Sequence, residues 1–252
     1  LLIADEVHNI GASTFSSKSP HYYDFKIGLS ATPTRQFDDE GSSFLMNYFG
    51  GIVFEFGLEE AIGNCLVPFD YFAHRVYLTA EEEMELIQIT QEIKKLSYAI
   101  SLPEGDPLKE RYSRLCLSRR RLIESAELKI RVLESIFPAN REEVKKSIIF
   151  ATDKFPEQLD KINEMLNARR VNFHQVTGKE TANRRLLREI VSSFSNGSIQ
   201  VLTSKRVLDE GFNVPQTEVA YLVAANTVVK QWTQRLGRVL RLSPNTGKTH
   251  AV

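Results

Sequence analysis

The stretch that decides the fold is residues 147–177, "SIIFATDKFPEQLDKINEMLNARRVNFHQVT". An apolar run is followed by a run with helical spacing of its apolar residues, and then by a second apolar run. This order predicts a strand, a helix and a strand. Continuous apolar strands are typical of parallel sheets, because helices cover both faces of such sheets. The stretch therefore predicts a βαβ unit.

The same alternation continues towards the carboxyl end of the chain. A helix is predicted over "TANRRLLREIVSSF" (181–194), and strands over "IQVLTS" (199–204) and "VAYLVA" (219–224). A last helix is predicted over "VVKQWTQRLGRVLR" (228–241). We therefore predict a nearly complete parallel sheet wrapped by helices over residues 141–252.

Residues 79–140 have a different pattern, which predicts a helical hairpin that links two domains. Thr79 and Glu82 have the spacing of a capping box, and apolar residues then recur every three or four positions. "SLPEGDP" (101–107) interrupts the pattern before a second periodic stretch begins. The apolar stripe is compatible with a coiled-coil partner, but we interpret it as packing against the protein's own domains.

Residues 1–78 alternate short apolar runs with turns. The runs are "LLIA" (1–4), "FKIGLS" (25–30), "GGIVFEF" (50–56) and "FAHRVYL" (72–78). They suit part of an α/β layer but are too few for a complete one. We expect the chain to begin inside this domain and both of its ends to be cut. The predicted fold class is α/β, with a partial first domain and a nearly complete second one.

Composition limits the classes of function. The chain has 252 residues, enough for two modest domains, and is 42% hydrophobic and 25% charged. Its 32 Lys and Arg balance 32 Asp and Glu, so nucleic-acid contacts must come from local groups. Cys65 and Cys116 lie far apart, which indicates reduced thiols in an intracellular protein that is not secreted. No apolar run reaches membrane-spanning length, and we expect neither a signal peptide nor a membrane partner.

Polar residues follow the first two predicted strands. Asp5 and Glu6 come directly after "LLIA", and the carboxyl ends of parallel strands border the crevice where α/β sheets bind ligands. A solvated acidic turn is the alternative. Ser30 and Thr32, in "IGLSATPTR" (27–35), follow the next strand. Their hydroxyls either bond across to another element or cap the turn.

The helix predicted over 228–241 carries Arg238 and Arg241, which are neighbours on one helix face because they are three residues apart. No acidic residue lies in that helix to answer them. A solvated basic face is one interpretation, and a polyphosphate counter-ion is the other.

A polar loop follows a later strand. "VLTSKRVLDEGFNVP" (201–215) ends its strand at Thr203 and turns through Asp209, Gly211 and Asn213. The glycine permits a tight turn. The flanking polar side chains are candidates to face a ligand.

Taken together and in this order, the motifs resemble those of superfamily 2 helicases and nucleic-acid translocases. The matching motifs are "DEVH" (the DExH form of Walker B), "SAT" (third), "SIIFAT" (fourth), "TSKRVLDEGFNVP" (fifth) and "QRLGRVLR" (sixth). The resemblance covers nearly the whole chain, except for the helical hairpin. "DEGFNVP" and "LVPFDYFAHRVYLTAEE" (66–82) are more similar to the DNA-repair and restriction-enzyme branch than to the RNA DEAD-box branch.

The resemblance implies two RecA-like domains with ATP bound in the cleft between them. The phosphate loop of such proteins (Walker A) is absent from this sequence, and "TGKT" (246–249) is the nearest match. Leu242 stands where the first glycine of that loop would be, and no strand leads into a helix there, so we interpret "TGKT" as a turn. We expect this chain alone to be inactive.

The resemblance also implies roles for the charged residues. Asp5 would hold the Mg²⁺ that bridges the β- and γ-phosphates, and Glu6 would orient or deprotonate the attacking water. His8 would connect the nucleotide site to the second domain. Arg238 and Arg241 would be arginine fingers that reach the γ-phosphate.

The remaining roles are implied in the same way. Nucleotide contacts would come from Asp209, Gly211, Asn213 and Gln234. Ser30 and Thr32, with Gln234, would couple closure of the cleft to the grip on the strand. Thr152 and Thr203 would face the nucleic-acid backbone, or equally cap their turns.

The sequence therefore predicts a motor that uses ATP and Mg²⁺ to move along nucleic acid, and the motifs favour DNA over RNA. An RNA helicase of the same superfamily is one alternative. A helicase-like scaffold that does not hydrolyse ATP is another, but a scaffold has no need of Asp5, Glu6, Arg238 and Arg241. Protein partners would contact regions outside this chain.

Overall fold

The structure is a computed structural model that describes residues 1–35, 38–152, 156–204, 214–224, 237, 239–243 and 247–252. Its strands are β1 (Leu2–Ala4), β2 (Lys26–Gly28), β3 (Ser147–Phe150), β4 (Phe173–Val176), β5 (Val201–Ser204) and β6 (Val219–Leu222). Its α-helices are α1 (Ser13–Ser16), α2 (Asp39–Phe49), α3 (Leu58–Ala61), α4 (Ala80–Lys95), α5 (Pro107–Ser125), α6 (Leu128–Ile136), α7 (Pro156–Ala168), α8 (Gly178–Ala182) and α9 (Arg184–Ser195). Short 3₁₀ helices span Val7–Asn9, Ser97–Ser101 and Arg141–Glu143.

The main sheet has four parallel strands in the order β4-β5-β3-β6. Side chains of a strand point alternately to the two faces of the sheet. Each face of this sheet is covered by a helix and forms a separate apolar core. Ile149 packs with Leu159 of α7 on one face. Ile148 packs with Ile190 and Phe194 of α9 on the other. The prediction of a parallel sheet with flanking helices is confirmed.

Helices α4 and α5 form the predicted hairpin. The capping box begins α4, because Thr79 Oγ1 accepts a hydrogen bond from Glu82 N (3.2 Å) and Glu82 Oε2 accepts one from Thr79 N (2.9 Å). An ion pair joins Arg111 of α5 to Glu92 of α4 at 3.2 Å. The next helix, α6, instead buries Ile130 in the core of the four-stranded sheet. The domain limits 1–78, 79–140 and 141–252 stay predictions.

The first part of the chain contains a small sheet in which β1 and β2 are parallel. The runs 50–56 and 72–78 form no strand, and the Val53 side chain is 94% exposed. A strand needs a neighbouring strand to bond its backbone. Within the described ranges, no ladder partner lies beside either run.

Residues 65–70 connect this part of the chain to the described segments 239–243 and 247–252. Val67 N donates to Leu240 O (2.8 Å), and Asp70 N donates to Ala251 O (3.0 Å). The side chains of Val67, Val239, Leu240 and Ala251 form a small apolar cluster. The backbone on either side of Arg241 is therefore hydrogen-bonded to residues 65–67, which lie far earlier in the sequence. No helix in the ranges described above is both long and apolar enough to cross a membrane.

Candidate functional site

The parallel pairing of β1 and β2 sets the turns that follow them side by side. Leu29 N donates to Ala4 O (2.8 Å), and Val7 N donates to Leu29 O (3.0 Å). These two bonds continue the pairing past the strand ends. The turn that contains residues 5–8 therefore lies against the turn that contains Ser30, as the sequence predicts for ends of neighbouring parallel strands.

Gly28 is required for this close approach. A Cβ atom at Gly28 would lie 2.9 Å from Val7 Cγ1 and 3.2 Å from the Phe49 ring. The missing side chain thus lets the turn after β1 and helix α2 pack directly on the end of β2.

Glu6, His8 and Ser30 come together at these turns. His8 Nδ1 lies 3.0 Å from Ser30 Oγ and 3.2 Å from Glu6 Oε2. A carboxylate oxygen repels a nitrogen lone pair, so the arrangement favours the tautomer with the proton on Nδ1. The His8 side chain is buried, and Ser30 Oγ also accepts a bond from Thr32 N (3.1 Å). The four predicted residues Glu6, His8, Ser30 and Thr32 thus form one contact network.

The backbone of Glu6 has an unusual conformation. Its φ is 50° and its ψ is 46°, in the left-handed region that residues other than glycine rarely adopt. Such a conformation costs about 1–2 kcal/mol and persists where the surroundings hold it. It reverses the chain directly after β1, so that the 3₁₀ helix Val7–Asn9 begins at once. The reversal brings His8 back towards Glu6.

Asp5 is the exposed carboxylate of the site. Its Oδ1 accepts a hydrogen bond from Glu6 N at 2.9 Å. In the part of the chain that the structure describes, no cluster of three His, Cys, Asp or Glu side chains could hold a metal ion by itself. Mg²⁺ is commonly held by one or two carboxylates, substrate phosphates and water. A single exposed carboxylate at this position therefore fits a magnesium ion that arrives with a nucleotide.

Arg35 supports the site, and the sequence analysis did not identify it. Its Nη1 donates to the carbonyl oxygen of His8, and its Nε lies 2.6 Å from Asp38 Oδ2. Asp38 in turn caps α2, because its Oδ1 accepts from Gly41 N (2.8 Å). The Gly41 N–H and the Arg35 guanidinium hold the pKa of Asp38 below its usual value. The only available signal was an arginine after "SATPT", which does not reveal a backbone carbonyl as its partner.

Thr203 and Thr152 are buried in the main domain. Thr203 is 0% exposed, and its hydroxyl donates to Asn163 Oδ1 (3.2 Å). Asn163 Nδ2 donates to Gln175 Oε1 (2.8 Å), which completes an internal network between α7, β4 and β5. Thr152 is 3% exposed, and its N–H donates to Gln158 Oε1 (2.9 Å). The nucleic-acid role of both threonines is untested, and the burial of Thr203 favours a structural role for its hydroxyl.

Arg241 is the one predicted arginine finger among the described residues. It is exposed, and its backbone forms an antiparallel bridge with Leu66. The other predicted residues of the fifth and sixth motifs lie outside the described residues: Asp209, Gly211, Asn213, Gln234 and Arg238. Their roles stay predictions.

A cavity of about 680 Å³ lies elsewhere, between the segment 69–76, α6 and β6. Its lining is mostly apolar and includes Lys129, whose Nζ donates to Val223 O (3.0 Å) and Glu124 O (3.3 Å). Burial lowers the pKa of Lys129. None of the predicted site residues lines this cavity.

Known proteins are similar to this chain over nearly its whole length. Residues 128–243 match the helicase conserved C-terminal domain family. The DNA 3'-5' translocase XPB2 of Sulfurisphaera tokodaii is 27% identical over 256 residues, which cover 96% of this chain and 55% of that protein. The DNA 3'-5' helicase XPB of Mycobacterium tuberculosis is 23% identical over 248 residues, which cover 98% of this chain and 38% of that protein. The chain thus spans about half, or less, of the length of these relatives.

A solved structure has the same fold. The crystal structure of the C-terminal part of the Fun30 ATPase domain aligns with a TM-score of 0.52 and 13% sequence identity. The alignment covers 74% of this chain and 84% of that one. Residues 128–243 are thus similar to the helicase conserved C-terminal domain, and the solved structure shares the fold.

Proposed function

We propose that the chain is part of an ATP-driven DNA translocase or helicase, in which two RecA-like domains share one nucleotide. One observation supports this proposal most strongly. His8 Nδ1 contacts Ser30 Oγ (3.0 Å) and Glu6 Oε2 (3.2 Å) where two neighbouring parallel strands end. Ligands of α/β sheets bind at such ends. An acid, an imidazole and a hydroxyl from two motifs have no need to meet there for stability alone.

The chemistry follows from the residues of the "DEVH" motif, which takes the role of Walker B. Asp5 would hold Mg²⁺, which offsets the charge of the β- and γ-phosphates when it is bound. Glu6 orients the attacking water and accepts its proton. His8 Nδ1 contacts both Ser30 Oγ (3.0 Å) and Glu6 Oε2 (3.2 Å), so a movement of the turn after β2 would be passed to the carboxylate through His8.

The second domain completes the site. Arg238 and Arg241 supply positive charge to the transferring phosphoryl group, and such fingers contribute roughly 10³–10⁵ in rate in related enzymes. Closure of the cleft brings them to the nucleotide, and hydrolysis reopens it. Each cycle moves the second domain along the bound strand.

DNA is the proposed substrate. Both curated relatives are named for their action on DNA. The balanced charge of the chain means that affinity comes from local contacts to phosphates and not from a broad basic surface.

The test is the Glu6→Gln variant of the full natural polypeptide. Glutamine keeps the size of the side chain but cannot accept the proton, so kcat for DNA-stimulated ATP hydrolysis is expected to fall by about 10²–10⁴. The affinities for ATP and DNA are expected to stay within about twofold, because the lost interaction exists only in the transition state.

Asp24→Asn is the matched control, since Asp24 is an exposed acid just before the opposite end of β2. Its kcat is expected to equal that of the wild type. Unchanged hydrolysis in Glu6→Gln would contradict the proposal, and so would loss of DNA binding with normal basal hydrolysis.

A further inference from the structure

The side chain of Lys248 binds three backbone carbonyl groups. Its Nζ donates to Val239 O, to Pro215 O (3.2 Å) and to Arg241 O (3.4 Å). A lysine ammonium has three N–H donors and no acceptor. The number of acceptors therefore matches the number of donors of the charged form.

Two of these carbonyls belong to the end of the sixth motif. Gly237 and Val239 are helical, and Leu240 is not. Carbonyls at the carboxyl end of a helix lack partners within the helix, and a cation there is favourable. The carbonyl between them, Leu240 O, accepts a bond from Val67 N (2.8 Å). The three successive carbonyls of residues 239–241 are thus all bound by residues outside the sixth motif, namely Lys248 and Val67.

The third carbonyl belongs to the end of the fifth motif. Pro215 is the last residue of "TSKRVLDEGFNVP", and Lys248 comes after the sixth motif in the sequence. The Lys248 side chain therefore ties the end of one nucleotide-binding motif to the end of the other. The two predicted arginine fingers are next to carbonyls that Lys248 binds. The carbonyl of Arg241 is one of them, and Arg238 directly precedes Val239, which carries another.

We propose that Lys248 is a positioning residue for ATP hydrolysis, whose ammonium fixes the arginine-bearing segment against the end of the fifth motif. The inference rests on the proposed function, because it assigns Lys248 a role in the same reaction. Rigid placement matters here, since a small displacement of a group that stabilises a transition state can lower the rate by about 10².

The charge of Lys248 is sensitive to pH. Its side chain is half-buried, and burial lowers the pKa of its amine to about 8 although the Glu218 carboxylate acts in the opposite direction. Among the described residues, the charged groups on the adjoining segments include Arg241 and the pair of Asp70 and His250, which are 3.0 Å apart. Above this pH the neutral amine has one donor fewer and no charge. The segment is then held less firmly.

The experiment measures ATP hydrolysis by the full natural polypeptide with saturating DNA. Lys248→Met is expected to lower kcat at pH 7 by about tenfold to a hundredfold, and to leave the KM for ATP and the Kd for DNA within about twofold. Wild-type kcat is expected to decline as pH rises through about 8. Lys248→Arg stays charged at all these pH values and is expected to lack that decline.

Lys129→Met is the matched control, because Lys129 is another lysine that donates to two backbone carbonyls. Its kcat at pH 7 is expected to match the wild type. Equal losses in both Met variants would show a general effect on stability and overturn the proposal. The proposal is also overturned if the decline of kcat near pH 8 persists in Lys248→Arg. This comparison does not depend on whether Lys248→Met folds. If Glu6→Gln abolishes hydrolysis while Lys248→Met leaves kcat unchanged, only this inference fails and the proposed function stands.

Discussion

Replacing Thr203 by valine is expected to destabilise the main domain locally without weakening DNA binding. Valine keeps the shape of threonine but removes the hydroxyl that donates to Asn163 Oδ1 at 3.2 Å. Thr203 is fully buried, so the variant does not change any surface that a nucleic acid can reach in this structure.

The magnitude follows from the network. A net hydrogen bond contributes about 0.5–1.5 kcal/mol, and an acceptor left unpaired inside the protein adds to the loss. Asn163 is only partly buried, so water can reach its orphaned oxygen, and the added loss is small. We expect the free energy needed to open β5 to fall by about 1 kcal/mol, which raises the equilibrium constant for opening roughly fivefold.

Native-state hydrogen exchange of the β5 amides measures this free energy for one strand. Thr203→Ser is the control, because it keeps the hydroxyl and is expected to keep the bond. In an Asn163→Ala background, Thr203→Val is expected to have little further effect, since the partner is already gone. Unchanged exchange together with weaker DNA binding at fixed salt would refute this reasoning and establish Thr203 as a strand contact.

Two more predictions concern packing and pH. Gly28→Ala is expected to cost about 1–3 kcal/mol, measured by exchange of the β1 amides, because the new Cβ meets Val7 and the Phe49 ring. For Lys248, the pKa is about 8 in the folded protein against 10.5 for the ordinary side chain, so unfolding takes up a proton between these values. Stability from this group is therefore expected to rise with pH across that window in the wild type and not in Lys248→Met, as urea titrations at several pH values would show.

The main sheet was predictable because its signal is local and redundant. The β3 side chains Ile148, Ile149 and Phe150 are all buried. Because both faces of the sheet are covered, successive positions of the strand are apolar, which gives a continuous apolar run in the sequence. The runs 50–56 and 72–78 are also apolar but form no strand. Apolar composition describes a tendency, whereas a strand also needs a backbone partner, which composition does not encode.

The site was predictable where it depends on topology. Glu6 and Ser30 each follow a parallel strand, and neighbouring strands bring such residues together. Arg35 and Lys248 could not be found in this way, because each binds backbone carbonyls, which every residue carries. Burial of Thr203 was missed for another reason. A threonine at a strand end has the same sequence signature whether it faces solvent or a partner such as Asn163.

The most direct test of the central claim measures whether the two halves of the chain act on one nucleotide. Single-turnover ATP hydrolysis with saturating DNA would be compared for Glu6→Gln, Arg238→Ala and the double variant of the full natural polypeptide. Residues that act as a unit in one transition state have strongly non-additive effects. We expect each single variant to lose at least about 10² in rate and the double variant to be little slower than the slower single one. A double variant whose loss equals the product of the two single losses would mean that Glu6 and Arg238 act independently, and would contradict a shared site.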